Sequence, residues 1–173
     1  MVPETAPSSL EVEISDTQGH LKVDREALAG LARRVLAGEG IGRASISIAL
    51  VDDATIQVMN RRHLAHDWPT EVISFRLSEP DDPVLAGALI ISAEMAATTA
   101  DQARVDPRAE LALYTVHGLL HLCGFDDSTD DEVVRIRRRE NEILTREGLT
   151  NTFPLVRPLG AIAGERESER WAN

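Results

Sequence analysis

Aromatic side chains are scarce in this chain, at 3% of residues, although hydrophobic residues reach 43%. Its core must therefore be built from Leu, Ile, Val and Ala, not from large rings. Cys123 is the single cysteine, so no internal disulfide can form, which agrees with a reducing compartment. Basic residues are outnumbered, with 18 Lys and Arg against 29 Asp and Glu and a net charge of −11. That balance disfavours non-specific adhesion to nucleic acid or anionic membrane, yet leaves room for local basic patches at Arg33-Arg34, Arg61-Arg62 and Arg137 to Arg139. Long apolar runs are missing as well. The longest, VLAGALII from Val84 to Ile91, falls far short of the roughly 20 residues that span a bilayer. The opening MVPETAPSSLEVEI has neither a basic start nor an apolar stretch of leader length. The expectation is a soluble cytoplasmic protein with no membrane partner.

With 173 residues and no internal repeat, the chain suggests one domain. Polar, proline-containing residues 1–9 are expected to be disordered, 10–149 to form the domain, and 150–173 to be loosely ordered. Strands are predicted at Leu10 to Ile14, Ser45 to Val51, Glu71 to Leu77 and Gly87 to Glu94, from their alternating and β-branched composition. Helices are predicted from Asp24 to Ala37, from Asp52 or Asp53 to Arg62, and from Ala93 or Glu94 to Arg104. Asp106-Pro107 starts another with a cap and a first-turn proline. This helix, RAELALYTVHGLLHLC, is apolar nearly all round and so should be buried. Thr129 and Glu132 form a capping box for the last helix, with Val133, Ile136, Ile143 and Leu144 facing the core. The fold class is α+β: a single domain with a small mixed four-stranded sheet and about five helices.

The chemistry concentrates in HGLLHLCGFDD, residues 117 to 127. His117 and His121 stand one helical turn apart and can present both imidazoles to one point. Gly124 permits the helix to end in a left-handed turn, which would bring Asp127 back toward them. Two imidazoles and a carboxylate are a common zinc ligand set. The alternative is a pair of buried, hydrogen-bonded histidines, with Asp127 capping the last helix. The spacing matches the ligand helix of metzincin peptidases, but their general-base Glu follows the first His, and here that position is Gly118. Glu140 falls in the apolar stripe of the last helix and could pair with an arginine or hydrogen-bond a ligand histidine.

These residues resemble the YbeY family of bacterial metal-dependent endoribonucleases. The family motif H-G-x-L-H-L-x-G-[YF]-D-H is met from His117 to Asp126, with Asp127 where a third His usually stands. A second motif, N-x3-R-x2-D-x-P-T-[DN]-V-[LI]-S-F, is met at Asn60, Asp67, Pro69, Thr70, Val72, Ile73, Ser74 and Phe75, and G-D-[IL]-x-I-S at Gly87, Leu89, Ile91 and Ser92. The resemblance covers roughly residues 44 to 148. It implies a metalloprotease-like metal-binding helix and one zinc ion held by His117, His121 and Asp127. It further implies single-strand cleavage of ribosomal RNA at the 3′ end of the small-subunit rRNA, a part in ribosome quality control, and the small ribosomal subunit as partner. Three departures bear on activity: Leu64 where the family has an arginine, Ala88 for an aspartate and Glu71 for Asp or Asn. Arg61 or Arg62 could stand in for the missing arginine, and Ser74 lies where a strand would line the substrate. The rivals are a catalytically weak ribosome-assembly factor with a structural zinc, and a zinc peptidase.

Overall fold

A computed structural model of the protein describes residues 8–149. The remainder of the arm and the whole tail expected above lie outside the described residues. The elements run β1 (Ser9–Asp16), α1 (Arg25–Gly38), β2 (Arg43–Val51), α2 (Asp53–Leu64), β3 (Val72–Arg76), β4 (Leu85–Ser92), α3 (Ala93–Ala103), α4 (Pro107–Leu122) and α5 (Asp130–Arg146). The sheet order is β1-β2-β4-β3. β1 and β2 are parallel, as are β2 and β4, while β3 returns antiparallel along β4 from Val72 opposite Ile91 to Arg76 opposite Gly87. The mixed four-stranded sheet and five helices are those read from the sequence.

Local chemistry sets most boundaries. Asp24, Asp52, Ser92, Asp106 and Thr129 each cap a helix through a side-chain oxygen, and the Thr129–Glu132 capping box is complete. Several boundaries move by one to two residues, β2 beginning at Arg43, β3 narrowing to Val72–Arg76 and α2 reaching Leu64. β1 starts at Ser9, paired with Arg43, and so takes in the last residue of the expected arm. β4 is shifted to Leu85–Ser92, because Ser92 accepts from the Met95 amide and turns Ala93 and Glu94 into the first turn of α3.

Side-chain alternation divides the sheet. Ile46, Ile48 and Leu50 of β2 and Leu89 and Ile91 of β4 point into the main core, against Leu31, Val35 and Leu36 of α1 and the length of α4. On the other face, Ile73, Val51 and Ile56 form a smaller cluster with Phe75, Met59 and Ile90, covered by α2. α4 is the spine of the molecule: every residue from Ala109 to Leu120 is buried, and it packs on α1, α3, α5, β3 and β4. It can lie so close to the sheet because Gly118 faces Leu89 and Val72. A Cβ there would come within 2.9 Å of Leu89 Cδ2 and 3.0 Å of Val72 Cγ2. Gly87 makes the reciprocal allowance, with Leu122 over it at 2.8 Å from a Cβ's place.

Candidate metal centre

α4 ends where the site begins. Cys123 bonds back to the Leu119 carbonyl, and Gly124 turns left-handed at φ 102°. The Phe125 amide then returns to the Leu120 carbonyl, and Asp126 Oδ1 accepts from the Asp127 amide and the Ser128 hydroxyl. This tight turn delivers Asp127 to the two histidines. Its Oδ2 lies 3.5 Å from His121 Nε2 and 3.8 Å from His117 Nε2, and the two Nε2 atoms are 3.0 Å apart. Thr129, not Asp127, caps α5.

The donor set fits a tetrahedral cation. Ligand atoms about 2.0–2.1 Å from such an ion are separated by roughly 3.3 Å, and the three measured separations bracket that edge. His117 is buried, whereas His121 and Asp127 are about a quarter exposed and form the open side. Behind His117, Glu140 accepts from Nδ1 at 2.6 Å and is itself 3% exposed. A proton held on Nδ1 leaves the Nε2 lone pair free for a metal, an arrangement that recurs around ligand histidines. Arg137, one turn before Glu140, bonds the other carboxylate oxygen at 3.4 Å.

The electrostatics follow. Burial pulls the His121 imidazole down, but contact with Asp127 and the charges of Asp126 and Glu140 outweigh it and raise its pKa. Asp127 is held below the usual carboxylate range by His121, against the opposing effect of burial. Burial lowers the Arg137 guanidinium, while Glu140, Asp127 and Glu71 support its charge. Arg137 thus stands among the carboxylates of the site.

The other candidates are placed differently. Ser74 donates its hydroxyl to the Gly118 carbonyl at 3.1 Å, tying β3 to α4. Arg61 and Arg62 are exposed near the end of α2, where Arg61 meets Asp67 at 3.8 Å. Leu64 is 46% exposed on the last turn of α2. The role of Arg137 is the part that sequence reasoning missed. Its signal was a three-residue spacing to a carboxylate placed in an apolar stripe.

A single small α+β domain with a His-His-Asp donor set on its most buried helix is what a helix-mounted metal site requires. Among the described residues, these three are the group of His, Cys and acidic side chains close enough to hold an ion. The chain belongs to the YbeY family: the family model described as endoribonuclease YbeY matches residues 13–148. An endoribonuclease YbeY of Rhodopirellula baltica is 41% identical over 75% of this chain and 68% of its own length. That of Syntrophotalea carbinolica is 38% identical over 78% and 94%, and that of Pelotomaculum thermopropionicum 38% over 82% and 99%. A solution structure of a Thermotoga maritima protein shares the fold, with TM-score 0.56 at 22% identity over 82% of this chain and 96% of that one.

No helix among the described residues is long and apolar enough to cross a membrane.

Proposed function

We propose that this chain is a zinc-dependent endoribonuclease that hydrolyses phosphodiester bonds in single-stranded regions of ribosomal RNA, acting in small-subunit 3′-end maturation and ribosome quality control. The convergence of His117, His121 and Asp127, with Glu140 behind His117, carries this reading together with family membership. His117 and His121 would hold the ion through Nε2 and Asp127 through Oδ2. A divalent ion supplies Lewis acidity toward a phosphoryl oxygen and lowers the pKa of water to about 7. Glu140 keeps the His117 proton on Nδ1 and fixes the ring, and the partly exposed rim of His121 and Asp127 leaves a side open to substrate. A carboxylate among the ligands lowers the net charge of the centre relative to three imidazoles, which weakens its Lewis acidity.

A peptidase reading loses its general base for a steric reason: at Gly118 a side chain would run into Leu89 and Val72, away from the donors. The assembly-factor reading draws on Leu64 and Ala88, which stand where the family motif has an arginine and an aspartate, and on the net charge of −11. Cleavage of a structured ribosomal RNA fragment by purified protein, beside His121→Ala and a chelated control, separates the two. Cleavage by the zinc-loaded wild type alone is the expected result. No cleavage in any sample with one zinc per chain would replace the nuclease with a metal-stabilised assembly factor.

A further inference from the structure

The arginines of α5 divide into two groups. Arg137 turns to Glu140 and the metal donors. Arg135, Arg138, Arg139 and Glu142 fall at the i, i+3, i+4, i+7 spacing of one helix face. That face and the turn Cys123–Phe125 enclose an open hollow of about 350 Å³. The floor of the hollow is the same turn that carries the chain from His121 to Asp127.

Charge makes this hollow unlike its surroundings. The protein is strongly acidic, yet three guanidinium groups meet one carboxylate here. Arg139 is engaged by Glu39 and Glu142. Arg135 and Arg138 are exposed and make no ion pair or hydrogen bond to any described residue. Each therefore keeps its full fork of donors, the geometry that suits a phosphate. Acidic residues elsewhere repel a polyanion, so a basic hollow on the turn that joins His121 to Asp127 gives it a preferred line of approach.

We propose that the hollow between α5 and the Cys123–Phe125 turn is a backbone-phosphate site, in which Arg135 and Arg138 hold the RNA strand next to the bond cut at the metal centre. RNA as the polyanion rests on the endoribonuclease reading above. A strand whose scissile phosphate reached His117, His121 and Asp127 would carry neighbouring phosphates past this turn. The contacts go to phosphate, so they set position and affinity without reading sequence.

The test is binding of a 2′-O-methyl single-stranded RNA oligonucleotide to the zinc-loaded full chain, followed by fluorescence anisotropy across a salt series. Arg135→Ala/Arg138→Ala should weaken binding about tenfold at low salt, and the slope of log K against log salt should lose about 1.4, at roughly 0.7 per phosphate contact on a single strand. Arg25→Ala/Arg43→Ala removes the same charge from outside the hollow and should keep the wild-type slope. Unchanged zinc content and melting temperature establish that the first variant is folded. Wild-type binding by Arg135→Ala/Arg138→Ala, or an equal loss in both double variants, overturns the proposal. The activity reading fails separately: RNA bound through the hollow but never cleaved, when an unmodified strand is supplied, sinks the nuclease and leaves the phosphate site standing.

Discussion

Glu140 offers the sharpest test of how the site is built. Its carboxylate is buried, accepts from His117 Nδ1 at 2.6 Å and holds Arg137 on its second oxygen at 3.4 Å. Glu140→Gln keeps a carbonyl oxygen for the His117 proton but removes the charge, whereas Glu140→Leu removes both. Loss of such a partner typically weakens metal binding 10–100-fold, or about 1.4–2.7 kcal/mol. We expect Glu140→Gln near the lower figure and Glu140→Leu near the upper. Leucine also strands a buried imidazole N–H and a largely buried guanidinium, which should cost about 1–3 kcal/mol of folding stability beyond the metal effect. Zinc affinity by competition with a chromophoric chelator, together with thermal unfolding of the metal-free proteins, separates the two effects. Zinc affinity within twofold of wild type for both variants would refute the claim that Glu140 orients a ligand.

Further outcomes follow from other parts of the molecule. Gly118→Ala should lower stability by about 1–3 kcal/mol in denaturant unfolding, because its methyl group meets Leu89 and Val72 inside the packed core. In metal-free protein, the lowered Asp127 pKa contributes stability that is lost as pH falls, and the raised His121 pKa contributes stability that is lost as pH rises. The melting-temperature gap between wild type and Asp127→Asn should therefore be widest between about pH 4 and 6.5 and shrink on either side. Burial pushes the Cys123 thiol up to about 11, so its alkylation near neutral pH should be about two orders of magnitude slower than in the denatured chain. Equal labelling rates in the two states would contradict this.

Much of the site was legible because its parts are local. The histidine spacing, the glycine that ends α4 and the capping box that starts α5 all obey short-range rules, and they bring Asp127 within 3.8 Å of both histidines. The strand-to-helix hand-over at Ser92 was harder to read, since a serine after an apolar run fits a strand end and a helix cap alike. Arg61, Arg62 and Ser74 were named from adjacency in sequence, which does not fix where a side chain is placed. Ser74 spends its hydroxyl on a helix carbonyl 44 positions away, and the two arginines point to solvent from an amphipathic helix. Arg137 was hidden for the opposite reason. In a run of three arginines, composition cannot tell which one turns inward, and only the packing of α5 against α4 decides it. The missing general-base position at 118 was visible as chemistry, but its cause, the close seat of α4 on β4, is tertiary.

The sheet described above is covered unevenly, and that has a consequence for how the molecule keeps to itself. α2 shields one face only at the β3–β4 end. Toward β1 the same side presents Glu11, Glu13, Ser45 and Ser47 to water. β1 is an outer strand, and no other strand among the described residues pairs along its far side. Two copies that tried to join through these strands would bring rows of like charge together at a spacing of a few ångströms, a costly encounter in a chain already carrying −11. The glutamates of β1 thus act as a guard against fibrous stacking, and replacing them with threonine would leave the fold intact while opening a route to aggregation.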